Sequence, residues 1–320
     1  MTERTIHVPG FSIGTADDRE GLTGVTVILA PPGGAAAGVD VRGCGPGTRE
    51  TDLLQPEKTV EKIHAVVLSG GSAFGLEASC GVMSYLRDQG VGFPVGPVHV
   101  PIVCGAVLFD LLIGKASAYP DMAMGRLAAE RAGTTFPVGC AGAGMGATVG
   151  KFLGPGRAMK SGAGYGECRL PSGLYVGAYL AVNACGEVYD EKGIVAGILG
   201  DDKRSFIPTE DLILKGLHRH MEGANTTIGC IVTNARLTKA QCRVIAGMGH
   251  DGMARSIRPV HTSMDGDTFF VMASGEKEEA LDTVGCMAET AVRLAIYDAV
   301  LSAEGAGGRP ARRDLPAHMQ

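Results

Sequence analysis

Apolar positions along this chain recur every second residue in some stretches and at helical spacing in others. "TGVTVILAPPGG" reads as a strand with a turn stop, and "AGVDVRGCGPGTRETDLL" as a strand followed by a long loop. "KIHAVVLSGGSAFGLEASCGVMSYLRDQGVG" reads as a strand at Ala65 to Leu68, a glycine turn, and a helix from about Ala73 to Gln89 capped by Gly90. A second helix falls near 121–133. Residues 139–166 are too rich in glycine to show either period, and the strand pattern resumes in "GLYVGAYLAVNACGEVY", with Asn183 near its end. Residues 186–224 mix glycine, charge and proline without a sustained period, which predicts an exposed, processable loop.

"GANTTIGCIVTNA", Gly223 to Ala235, then passes from small and polar residues straight into a buried strand, which the pattern starts at Thr226. "LTKAQCRVIAGMGHDGMARSI" reads as a helix whose Thr238 and Gln241 form a T-x-x-Q capping box. "DGDTFFVMASG" is a turn and a strand, and "EKEEALDTVGCMAETAVRLAIYDAVLSA" a long amphipathic helix. The closing "EGAGGRPARRDLPAHMQ" predicts a disordered tail. Strands and helices mixed throughout predict an α+β or layered α/β protein.

Length and composition narrow the function. A chain of 320 residues and 32.9 kDa can bury a large core. A net charge of −5 offers no basic face for nucleic acid. The 49 glycines lie among apolar β-branched residues, so they predict tight turns and close backbone approach. The nine cysteines include no C-x-x-C pair and sit mostly in apolar runs, which predicts buried thiols in a reducing compartment. The N-terminus has no apolar core and no apolar run is long enough to span a bilayer, so the expectation is a cytoplasmic protein without a membrane partner. The histidines show no metal-ligand spacing, and "VVLSGGSAFGLEA" lacks both the G-K-[ST] ending and the G-x-G-x-x-G of nucleotide sites, so no metal or cofactor is expected.

Several groups stand out but are ordinary when read alone. Asp265 and Asp267 in "MDGDTFF" make a common D-G turn, or a carboxylate pair aimed at one cation. Lys151 and Lys160 in the glycine-rich segment are solvated charges, or an anion holder beside a nucleophile. "GHD" and "RPVHT" leave a Ser-His-Asp arrangement open.

Taken together, "TGVTVILAP", "PGTRETDLL", "HAVVLSGGSAFGLEA", "GAGMGATVGK", "YVGAYLAVNACGEV", "NTTIGCIVTNARLTKAQ" and "HDGMARSIRPVHTSMDGDT" occur in an order that resembles the DmpA-like peptidases. That family includes L-aminopeptidase/D-esterases, β-peptidyl aminopeptidases and nylon-oligomer endohydrolases. The resemblance runs from about residue 8 to 303. It implies a four-layer α-β-β-α sandwich like that of ornithine acetyltransferases. It also implies one catalytic domain over 1–320, made as an inactive chain and cut into 1–225 and 226–320. The autocleavage site would be Asn225–Thr226, with Thr226 as nucleophile and Thr227 as the fallback. Asn183 matches an oxyanion-hole residue. Asp265 and Asp267 match an acidic pair of the nylon-oligomer branch, where β-peptidyl aminopeptidases have Ser and Glu. The branch also uses a lysine, matched first to Lys160 and second to Lys151, and a tyrosine, matched loosely to Tyr119. The implied substrates are small peptides, amino-acid amides or ω-amino-acid oligomers, and the implied assembly is a homo-oligomer of at least four subunits. Two alternatives remain at this point: acyl transfer to another amine, as in ornithine acetyltransferases, or an uncleaved, non-catalytic relative.

Overall fold

The computed structural model describes residues 2–218 and 225–319. In chain order the sheet strands are β1 (Ser12–Asp18), β2 (Thr23–Leu29), β3 (Ala35–Val41), β4 (Gly47–Arg49), β5 (Lys62–Ile63), β6 (Ala65–Ser69) and β7 (Val103–Val107), followed by β8 (Ala163–Arg169), β9 (Tyr175–Ala181), β10 (Ile228–Ala235) and β11 (Thr268–Lys277). One sheet has the order β1-β2-β6-β7-β4 and the other β8-β9-β10-β11-β3-β5. Helices α1 (Ala78–Asp88) and α2 (Met122–Glu130) lie against the first sheet. Helices α3 (Lys239–Ser256) and α4 (Leu281–Ser302) lie against the second.

The period-two pattern explains the layering. On β2 and β6, Val25, Val27, Ala65 and Val67 pack against Val82 and Leu86 of α1. Their neighbours Ile28, Val66 and Leu68 point the other way and join Cys230, Phe270 and Met272 of the second sheet. On β11, Phe269, Val271 and Ala273 face Ala288 and Val292 of α4. Each sheet is therefore apolar on both faces, and three cores separate four layers in the order α-β-β-α.

The capping box forms as expected: Thr238 Oγ1 accepts from Gln241 N and Gln241 Oε1 accepts from Thr238 N. Gly90 follows α1 with φ +70°, while the turn of Ser72–Glu77 before it is 3₁₀ rather than α. Three expectations are corrected. The tail is packed rather than disordered: Ala311 is fully buried, Leu315 is nearly so, and Arg312 Nη1 donates to Val195 O at 3.0 Å. Residues 186–218 hold a hairpin (Glu187–Asp190, Gly193–Ala196) and a short helix (Thr209–Leu214); the rest of the expected loop, 219–224, lies outside the described residues. The strand after the two threonines starts at Ile228, so Thr226 precedes it by two residues.

The nine cysteines are free; four are buried and Cys44, Cys80 and Cys286 are exposed. Among the described residues no helix is long and apolar enough to cross a membrane.

Candidate active site

Register brings the candidate residues together. β9 and β10 are antiparallel with Ala181 opposite Ile228. Counting two residues beyond that pair on each strand places Asn183 beside Thr226, and Thr226 N donates to Asn183 O at 3.0 Å. β10 and β11 are parallel with Ile228 opposite Thr268, so the residues just before both strands lie side by side. Asn225 bridges Asp265 there. Two segments about forty residues apart in sequence thus share one end of the sheet.

Around the Asn225–Thr226 bond the contacts are short. Thr226 Oγ1 donates to the Asn225 carbonyl oxygen at 2.5 Å, and Gly266 N donates to the same oxygen at 2.9 Å. Position 266 requires glycine: a Cβ there would lie 2.6 Å from Gly45 O and 2.9 Å from Thr226 Oγ1. Asn225, Thr226 and Asn183 are all buried.

Asn183 is held from several sides. Its Oδ1 accepts from Thr148 N (3.1 Å), Thr148 Oγ1 (3.4 Å) and Lys151 Nζ (2.8 Å). Its Nδ2 donates to Phe109 O at 3.1 Å. An amide nitrogen carries two hydrogens, so one further donor is available from Nδ2. Lys151 Nζ also donates to Asn183 O at 2.8 Å, the same oxygen that accepts from Thr226 N.

The acidic pair is divided between two tasks. Asp267 Oδ1 accepts from Thr227 N at 2.8 Å, and its Oδ2 contacts His261 N (3.2 Å) and His261 Nδ1 (2.9 Å). His261 adopts φ +55°, an unusual conformation for a non-glycine residue, and its ring lies 4.7 Å from the buried His250 ring. Asp265 Oδ2 accepts from Thr262 N (2.8 Å) and Thr262 Oγ1 (2.6 Å). Its Oδ1 is buried with no partner among the described residues. Burial, then the Asp267 charge, pushes the Asp265 carboxyl up to about 6. Burial pulls the Lys151 ammonium down to about 7, against the opposing pull of Asp265, Asp267 and Asp110.

Of the two matched lysines, Lys151 is the one that touches Asn183. Lys160 is fully buried, and its Nζ donates to the carbonyls of Gly144 (3.1 Å), Ala147 (2.9 Å) and Ser161 (2.5 Å), tying the glycine-rich segment together. Tyr119 is 38% exposed, with its ring 5.4 Å from Phe74. Among the described residues no hydrogen bond joins it to Thr226 or Asn183. The sequence reading kept His261 open only as part of a Ser-His-Asp arrangement, and passed over Thr148 and Gly266 as parts of this cluster. His261 had a signal, since it lies six residues before Asp267 in "RPVHTSMDGD". Among the described residues no group of His, Cys, Asp and Glu is arranged to hold a metal ion.

A buried hydroxyl is set against its own preceding carbonyl, two residues before a strand of a four-layer sandwich. Residues 4–313 match peptidase family S58, and the chain belongs to that family. It is 39% identical over 315 residues to an uncharacterized aminopeptidase of Mycobacterium bovis, covering 91% of this chain and 89% of that protein. It is 35% identical over 274 residues to the 6-aminohexanoate-oligomer endohydrolase of Agromyces sp., covering 84% of this chain and 74% of that one. Among solved structures, the L-aminopeptidase D-Ala-esterase/amidase of Ochrobactrum anthropi superposes with a TM-score of 0.70 at 19% identity, over 95% and 88% of the two chains. A Burkholderia sp. beta-aminopeptidase gives 0.69 at 20%, with the same coverage. The chain is thus a hydrolase of amide bonds with the fold of the aminopeptidases it resembles.

Proposed function

We propose that this is a self-processing N-terminal-threonine amide hydrolase, one catalytic domain cut between Asn225 and Thr226. The observation that carries the reading is the pair of contacts on one carbonyl: Thr226 Oγ1 and Gly266 N both reach Asn225 O. In the first step Thr226 Oγ attacks the Asn225 carbonyl carbon. The C–N bond breaks, the acyl group moves to oxygen, and the amine takes up a proton; water then hydrolyses the ester. Gly266 N–H stabilises the charge that develops on the Asn225 oxygen.

Cleavage creates an α-amine on Thr226 with an ordinary pKa of about 8, so the residue then carries its own base. That nitrogen lies 3.0 Å from Asn183 O. The unpartnered Asp265 Oδ1 is a ready acceptor for the new ammonium. In turnover Thr226 attacks a substrate amide, the second Nδ2 hydrogen of Asn183 binds the oxyanion, and water releases the acyl group. The substrates proposed are short peptides, aminoacyl amides or ω-amino-acid oligomers. This rests on the aminopeptidase and 6-aminohexanoate-oligomer relatives. The test is a denaturing gel: purified protein runs as two bands of roughly 23 and 10 kDa, the 32.9 kDa chain divided 225 to 95, and the smaller begins Thr-Thr-Ile-Gly. A small fragment beginning at Ile228 would move the nucleophile elsewhere.

The two aspartates are expected to separate the two steps. Asp267→Asn puts an amide NH₂ against two donors of His261 or against Thr227 N, so it disturbs the uncut site. Self-cleavage should slow by on the order of 10²-fold, as for a broken buried charged hydrogen bond. Asp265→Asn keeps an oxygen for Thr262 but places a donor where the new ammonium needs an acceptor. It should cut normally and then turn over slowly. Gel time courses and steady-state kinetics on both variants check this, and equal behaviour of the two would refute the division.

A further inference from the structure

Thr226 is held through its backbone from both sides. Its own N–H donates to Asn183 O at 3.0 Å, and the N–H of the next residue, Thr227, donates to Asp267 Oδ1 at 2.8 Å. The peptide that carries the Thr227 N–H is planar and begins at the Thr226 α-carbon. Fixing that N–H therefore fixes the atom from which the Thr226 side chain projects. One stiff torsion is then left to set Oγ1 against the Asn225 carbonyl. The direction of Asp267 Oδ1 matters for the same reason. A carboxyl group turns about one bond, so its aim depends on what holds its other oxygen.

That other oxygen is held by His261. Asp267 Oδ2 accepts from His261 N at 3.2 Å and lies 2.9 Å from Nδ1, which carries the hydrogen because a carboxylate only accepts. The ring is fixed from behind. It meets the His250 ring edge to face at 4.7 Å; the His250 ring lies 4.8 Å from that of Phe269, and its Nε2 is 3.1 Å from Asp40 O. The backbone at His261 has φ +55°, a left-handed conformation that glycine and asparagine adopt more readily. Such a position persists where the surroundings over-determine it. The remaining ring nitrogen, Nε2, is buried with no partner among the described residues, and the Thr226 hydroxyl donates to Asn225 O. The ring is therefore set against Asp267 and not against the nucleophile.

We infer that His261 is a positioning residue for the nucleophile: by gripping Oδ2 of Asp267 it directs Oδ1 onto the Thr227 N–H, and so holds Thr226 against the carbonyl it attacks. This rests on the reading of Thr226 as nucleophile. His261, Asp267 and Thr227 all lie on the same side of the Asn225–Thr226 bond as Thr226 itself. The brace therefore stays with the nucleophile after cutting and serves turnover as well as self-cleavage.

The experiment compares His261→Gly with His261→Asn in the full chain. Both residues suit the left-handed backbone, both keep the backbone N–H on Oδ2, and both lose the packing on His250. They differ in the side-chain donor, which asparagine offers from the same branch point as histidine Nδ1 and glycine lacks. In His261→Gly, gel time courses of freshly refolded chain should show self-cleavage slowed about 10- to 30-fold, as for a slightly misplaced reacting group. His261→Asn should return the rate to within about threefold of the unaltered chain. In the cut enzyme, assayed on a 6-aminohexanoate oligomer or an aminoacyl anilide, whichever the unaltered enzyme cleaves, His261→Gly should lower kcat about tenfold and leave KM within about twofold. If His261→Gly does not fold, the isosteric pair His261→Asn and His261→Asp makes the same comparison, because aspartate offers Oδ2 no side-chain N–H. Equal self-cleavage rates within either pair, or a loss that falls on KM alone, overturn the inference. Its failure is separable from that of the nucleophile: a small fragment beginning at Thr226 with equal rates in the pair loses His261 and keeps Thr226. An active enzyme that stays uncut loses both.

Discussion

Thr226→Ala should yield a single folded chain of 32.9 kDa with no measurable turnover. The substitution removes a hydroxyl and a methyl from a buried site but keeps the backbone N–H that donates to Asn183 O. It also keeps Gly266 N on the Asn225 carbonyl, so the two strands stay joined at this end. The fold loses about 1–2 kcal/mol, in the range of a small buried deletion. On the proposed mechanism the chemistry loses both steps, because one oxygen would attack the Asn225 carbonyl first and the substrate afterwards. Thr226→Ser keeps that oxygen and should still cut. Thr227→Ala should cut as well, since the contact Thr227 makes to Asp267 is through its backbone N–H. Gel, circular dichroism and turnover on the three variants check the set. A Thr226→Ala protein that still divides would remove the hydroxyl from the mechanism.

What could be read from the chain, and what could not, follows from the range of the forces involved. The four layers were implied by the resemblance, and the strands were legible because each sheet is buried on both faces and shows long apolar runs such as "AVVLS" and "IGCIVT". The helix at Lys239 was legible from a local device, the capping box. The tail was not. Its composition is that of a linker, and its order comes from contacts more than a hundred residues away in sequence, such as Arg312 with Val195. The choice between Lys151 and Lys160 was hidden for a similar reason. Both lie in a glycine-rich segment with no period, and a two-residue strand pair sets Lys160 opposite Thr148. There Lys160 donates to three carbonyls while Lys151 reaches Asn183. His261 was noticed only as a possible triad member; its contact with the Asp267 carboxylate depends on a left-handed backbone turn that histidine does not announce.

Lys151→Met is expected to stop self-cleavage almost completely, and the effect should carry a pH signature. Methionine has nearly the length of lysine and fills the same buried space, but it offers no donor to Asn183 O or Oδ1. Asn183 then loses one of the contacts that hold its side chain, and Asp265, Asp267 and Asp110 lose a cation that offsets their charge. Because burial brings the Lys151 amine down to about 7, a large fraction of it is neutral at neutral pH. A neutral amine still has N–H groups for the two oxygens of Asn183, and we propose that it, rather than the ammonium, takes up the proton of the attacking hydroxyl. The sign is then determined. The neutral form grows as pH rises through about 7, so self-cleavage of freshly refolded, uncut chain should accelerate from about pH 6 to about pH 8 and level off above. Stability should move in the same direction. The unfolded lysine binds its proton up to its ordinary value and the folded one releases it near 7, so between those values the unfolded state holds more protons and stability rises with pH. In Lys151→Met both slopes should vanish, with the cutting rate at least 10²-fold lower, on the scale of a lost general base. Rates from gel time courses across pH and melting temperatures over the same range measure the two slopes. A Lys151→Met chain that cuts at the normal rate with the normal pH rise would assign the base to another group, and Asp265, whose carboxyl is held near 6, would be the next to test.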